Sequence, residues 1–112
     1  MKIVERQVGD VTILDLQGKI LIGEGDDALR DAVKKAVDGA KHKLLLNLAE
    51  VPYVDSAGLG EIVRCYTTVR NAGGSLKLVN LTKKIQDLLS ITKLLTVFEA
   101  FDTEEEGVKS FS

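Results

Sequence analysis

A single cysteine, Cys65, excludes an internal disulfide, and one histidine with no spaced cluster of ligands leaves little to hold a metal. No window approaches the roughly 18 continuous apolar residues of a membrane-spanning helix. Met1-Lys2-Ile3-Val4-Glu5-Arg6 alternates charge and hydrophobe, so the apolar core of a signal peptide is missing as well. A cytoplasmic protein without membrane insertion is expected. The formal charge of −2 is too small to imply a polyanionic partner, aromatic residues make up only 4%, and Lys and Arg are dispersed among acids. A nucleic-acid surface would instead show a basic stripe with aromatics interleaved. What is present is ordinary for one globular domain spanning residues 1–112: 45% apolar and 29% charged residues, enough for a core without staples.

Local patterns alternate strands with helices. Lys2 to Val8 and Val11 to Leu16 alternate around Gly9-Asp10, a two-residue connection that closes a hairpin with a primed turn. Ile20-Leu21-Ile22, within the glycine-richer stretch Gly18 to Gly25, is read as a small strand. From Asp26, the positions Leu29, Ala32, Val33, Ala36, Val37 and Ala40 follow a helical rhythm, with Asp26 and Asp27 at the electropositive start and Gly39 at the end. Leu44 to Leu48 reads as a strand buried on both faces, with Pro52 outside it. Leu59, Ile62, Val63, Tyr66 and Val69 then recur on one helix face, as far as about Ala72, where Gly73-Gly74 supplies a stop. Ser75 to Leu81 alternates again. Thr82 caps a helix with Ile85, Leu88 and Leu89 on its apolar side, a short strand falls around Val97 to Phe101, and Thr103 with Glu106 forms a capping box. The class is therefore α/β: a mixed sheet opened by an N-terminal hairpin, with about four helices packed against it.

The stretch Val54-Asp55-Ser56-Ala57-Gly58-Leu59-Gly60 departs from these easy rules. Ser56 falls at the strand-to-helix junction, where its hydroxyl is expected to act as N-cap. Gly58 and Gly60 are not explained that way, since each glycine within a helix costs about 1 kcal/mol relative to alanine. Either the helix packs closely on a neighbour, or a ligand or partner approaches the backbone. Leu59 likewise has two readings, core residue or exposed partner contact. Such local rule-breaking marks functional sites.

Enzymatic readings fare poorly. A nucleophilic serine needs a base, and the only histidine, His42, lies in the polar loop Lys41-His42-Lys43. The G-x-S-x-G elbow is missing, because Val54 and Gly58 stand two residues either side of Ser56. No phosphate-binding G-x-x-x-x-G-K-[ST] loop follows the glycines, and Cys65 in a helix is read as a packing residue. No catalytic activity and no cofactor are expected.

V-D-S-A-G-L-G after a strand of the type L-L-L-N-L resembles the STAS family, specifically the bacterial anti-sigma factor antagonists, and the spacing of elements agrees along essentially the whole chain. The resemblance implies that the helices flank mainly one face of the sheet. It also implies a partner-switching regulator: Ser56 is phosphorylated by a partner anti-sigma factor, a serine kinase, and dephosphorylated by a separate serine phosphatase. Asp26, Asp55, Ser56, Ala57, Gly58, Leu59 and Gly60 are the partner-binding residues so implied. Ala57 departs from the many members that carry a second serine or a threonine there, leaving Ser56 as the obvious acceptor. Two other uses of such domains stay open from the sequence: an accessory subunit on a membrane transporter's ATPase, and a scaffold in a larger signalling assembly.

Overall fold

The computed structural model describes residues 1–112. The hairpin forms as the sequence implies, with β1 (Lys2–Val8) antiparallel to β2 (Val11–Gln17) and Val8 opposite Val11. Gly9 supplies the positive φ of +61° that the tight connection requires. From there the chain alternates: α1 (Gly25–Asp38), β3 (Lys43–Glu50), α2 (Ser56–Asn71), β4 (Ser75–Val79), α3 (Lys83–Ile91), a 3₁₀ turn at Leu94–Thr96, β5 (Ala100–Phe101) and α4 (Glu104–Lys109). The five strands lie in the spatial order β1-β2-β3-β4-β5, and every pair after the hairpin is parallel.

Alternation along the strands divides the core. Leu14, Leu16, Leu44, Leu46, Leu48, Leu76 and Leu78 point to one face, where they meet Leu29 and Val33 of α1, Ile62 and Val69 of α2, and Ile85 and Leu89 of α3. Fully burying each such side chain stabilises by about 1.5 to 3 kcal/mol. On the other face Val11, Ile13, Leu45 and Val79 form a smaller cluster covered by Val108 of α4 and by Phe101 and Phe111. The run Leu44 to Leu48 is therefore buried on both faces except at Asn47, whose amide donates to Asp15 at 2.8 Å and whose oxygen accepts from Asn80 at 3.1 Å. Three helices on one face and one short helix on the other match the expected architecture.

Two expectations change in detail. The apolar stretch Ile20-Leu21-Ile22 is not a strand: Ile20 makes one isolated bridge to Val54, and the chain then turns outward, leaving Ile22 74% exposed. The last strand shrinks to Ala100–Phe101, because Val97 and Phe98 close a turn onto Leu94. The capping signals otherwise hold. Thr82 accepts the Ile85 N–H at 3.3 Å, and Thr103 accepts the Glu106 N–H at 3.2 Å. Glu106 returns to the Thr103 hydroxyl, at 3.0 Å, rather than to the backbone.

Candidate partner-binding site

The loops after β2 and β3 are zipped together at the carboxyl ends of the parallel strands, the edge where α/β sheets place their sites. Gly18 N–H donates to Glu50 at 3.0 Å, Ile20 N–H to Tyr53 at 3.0 Å, and Asp55 N–H back to Ile20 at 3.2 Å. Asp55 completes the clip with its side chain. One carboxylate oxygen accepts the Gly58 N–H at 2.7 Å, and the other accepts the Ile22 N–H at 3.0 Å. The N–H of Gly58, followed by those of Ile22 and Ala57, holds this carboxyl below the usual carboxylate range.

The N-cap of α2 is thus Asp55, and Ser56 is the first helical residue. This corrects the assignment of Ser56 as the cap. A carboxylate has two acceptor oxygens, and Asp55 turns one to the helix end and the other to the neighbouring loop, where a hydroxyl would have to serve both partners from a single oxygen. Ser56 is exposed and relieved of that structural task.

The two glycines have different reasons to be there. A Cβ on Gly58 would run into the Ile20 carbonyl and stand 2.8 Å from Ile20 Cγ2, so this glycine lets α2 press against the β2 loop. At Gly60 a Cβ would meet nothing nearer than the tip of Arg64, 3.9 Å away. Close packing explains Gly58 and leaves Gly60 unexplained. Leu59 satisfies both of its readings: it is half-buried, packs against the main core, and its remaining surface lines a groove.

That groove, of about 410 Å³, runs between the start of α2 and the outer side of α3. Tyr53, Ser56, Leu59, Lys84, Leu88 and Ile91 contribute to its walls, and the amine of Lys84 stands 5.7 Å from the centre of the Tyr53 ring. Tyr53 is 45% and Ile91 80% exposed. Sequence reasoning missed the α3 wall. Ile91, the far end of α3, carried a usable signal, being a large apolar residue beyond the Ile85-Leu88-Leu89 side.

Asp26 sits apart from this surface. It is 7% exposed, its N–H donates to Leu21 at 3.1 Å, and its carboxylate turns back onto the N–H of Asp27 at 2.9 Å. Asp27, in the open, pairs with Arg30 at 3.1 Å. Behind the site, Arg30 reaches from α1 to Glu61 on α2 with contacts of 2.7 and 3.0 Å, and Glu61 is 1% exposed. This lock between the helices was not read from the sequence. Cys65 lies beneath it, and burial, with the nearby Glu61 carboxylate, pushes its thiol up to about 12. Burial of Cys65 and exposure of His42 agree with their bland readings. No three His, Cys, Asp or Glu side chains converge to hold a metal, and no helix is long and apolar enough to cross a membrane.

The STAS domain family profile matches residues 2–107 of this hairpin-led mixed sheet: the chain belongs to this family. Among curated relatives, it is 31% identical to the anti-sigma-B factor antagonist of Bacillus subtilis (strain 168), over 95% of this chain and 94% of that one. Its fold is similar to that of a candidate anti-sigma factor antagonist from Thermotoga maritima, at a TM-score of 0.89 and 28% identity, covering 96% and 92% of the two chains. The phosphorylated form of the Bacillus cell fate determinant SpoIIAA shares the fold at a TM-score of 0.76 and 18% identity, over 99% of this chain and 100% of that one.

Proposed function

We propose that this STAS domain is an anti-sigma factor antagonist: unphosphorylated, it binds an anti-sigma factor kinase and so releases a sigma factor, and phosphorylation of Ser56 ends that binding. The observation that carries the reading is the exposed Ser56 at the first position of α2, with the cap supplied by its neighbour. A serine with a structural task would be held; this one is presented. Asp55, Ser56, Ala57, Leu59 and the open backbone at Gly60 form the partner surface, and Gly58 holds it against the β2 loop. Asp26 acts through that loop, from beneath. A serine phosphatase restores the active form, and the work is done within the cytoplasm, without catalysis by this chain.

Phosphate at Ser56 adds roughly −1.5 to −2 charge at neutral pH. The helix N-terminus favours an anion, so the fold accommodates the group. Yet Asp55 already occupies that position with a negative charge bound to the Gly58 N–H. Phosphorylation therefore places two like charges and three hydrated oxygens where a partner packed on a small hydroxyl. A penalty of about 3 to 4 kcal/mol weakens binding several-hundredfold, at about 1.4 kcal/mol for each factor of ten. The switch is local repulsion and bulk, without a large conformational change.

The test mixes the protein with the anti-sigma kinase of its own cell and ATP and maps phosphate by mass spectrometry. Ser56→Ala should abolish labelling and keep partner binding, whereas Ser56→Asp should weaken binding. Labelling at another residue, or an aspartate variant that binds normally, overturns the reading. Backbone NMR shifts that change only near Ser56 support the local mechanism; shifts spread through the sheet refute it.

A further inference from the structure

The first turn of α3 violates helix electrostatics beside the groove that Ser56 shares. Lys83 and Lys84 occupy it with no acidic residue, although the positive end of a helix disfavours cations. The α4 start, by contrast, carries Glu104, Glu105 and Glu106. Lys83 lies outside the groove. Lys84 lines it, and it is the one cation among the lining residues, alongside the carboxylates Asp55 and Asp87. Asp55 is committed to the N–H groups of Gly58 and Ile22. Asp87, one turn along from Lys84, does not come within ion-pairing distance of it; the Lys84 amine rests over the Tyr53 ring instead. Cation–π contact at an exposed site is weak beside a charge-assisted hydrogen bond, and is readily exchanged for a phosphate dianion.

We propose that Lys84 receives the phosphate on Ser56, leaving the Tyr53 ring to form an ion pair that spans the mouth of the groove. The pair deepens the switch and rests on the reading of Ser56 as the modified residue. Phosphorylation then does two things at one corner: it sets charge against the partner and draws a side chain over the apolar walls formed by Leu59 and Leu88. The cation misplaced at the start of α3 acquires its counter-ion in the modified state.

The test installs phosphoserine at position 56 by genetic encoding, so that its outcome does not depend on which residue a kinase labels. The second ionisation of the phosphate is followed by phosphorus NMR against pH. A cation in contact favours the dianion, so the Lys84→Met variant should show a phosphate pKa higher than the otherwise unaltered protein by about half a unit. Lys83→Met should leave it within about a tenth of a unit, and roughly 1 M salt should shrink the Lys84 effect. Phosphorylation should also shift the Tyr53 ring resonances further in the Lys84 form than in Lys84→Met, since only the former loses an amine from the ring. Identical titration of the unaltered protein and Lys84→Met, or an equal shift from Lys83→Met, overturns the ion pair. A kinase that labels elsewhere defeats the proposed function and leaves this result standing.

Discussion

The starts of α2 and α4 are built from the same kind of parts and differ in what those parts satisfy. At α4, Thr103 caps the Glu106 N–H and three glutamates sit at the positive end, so local preferences agree and nothing is left over. At α2 no acid occupies the first turn, Gly58 and Gly60 weaken the helix, and the cap reaches outside it to Ile22. The α4 start explains itself within four residues. The α2 start makes sense only with the β2 loop on one side and the groove on the other, and its unexplained remainder is an exposed serine and an open glycine.

The sharpest way to break this contrast is Gly58→Ala, which forces a methyl into the Ile20 carbonyl and should destabilise by about 3 kcal/mol in urea unfolding. A neutral result would show that α2 does not need its close approach to the loop. Comparable in size, though spread over several pH units, is the alkaline limb of the stability curve. Cys65 holds its proton to about 12 in the fold and ionises near its ordinary value, about 8.5, when unfolded, so the unfolded chain binds fewer protons between those limits. Stability should fall with rising pH there, by at most about 1.4 kcal/mol per unit, and Cys65→Ala should remove that component.

Cap removal compares the two helix starts directly. Thr103→Ala should cost about 1 kcal/mol. Asp55→Ala should lower the unfolding midpoint further, because it also frees the Ile22 N–H. The Asp55 contribution is fully present above the unfolded carboxyl value near 4 and is lost as pH falls through its lower folded value, so acid titrations of wild type and Asp55→Ala should converge. The smallest expected effect is Gly60→Ala: stability unchanged or raised by up to about 1 kcal/mol, with partner binding weakened. Retained binding in that variant would leave Gly60 without a role.

Much of the fold was legible because its signals are local. Gly9-Asp10 with flanking alternation marked the hairpin, Thr82 and Thr103 marked two helix starts, and Gly73, at φ +85°, closed α2 as expected. Ile20-Leu21-Ile22 misled because an apolar triplet does not say whether a strand neighbour is available; only Val54 comes alongside. Glu61 gave no sign of burial, since its partner Arg30 arrives from a helix that begins before β3. The α3 wall of the groove is likewise formed by residues 28 to 36 positions beyond Ser56.

By itself the sequence determined the order of the helices and of the main strands, the two-sided burial of β3 and the short stretch around Ser56 that departs from helix rules, because periodicity, turn chemistry and motif spacing are properties of neighbours along the chain. Tertiary structure decided which of two adjacent residues caps α2, why one glycine sits against the β2 loop and the other in the open, and which lysine shares a groove with Ser56. Those outcomes depend on the Ile22 N–H and the Ile20 carbonyl arriving against the start of α2, and on the first turn of α3 lining the same groove, an arrangement that exists only once the loops close over the sheet.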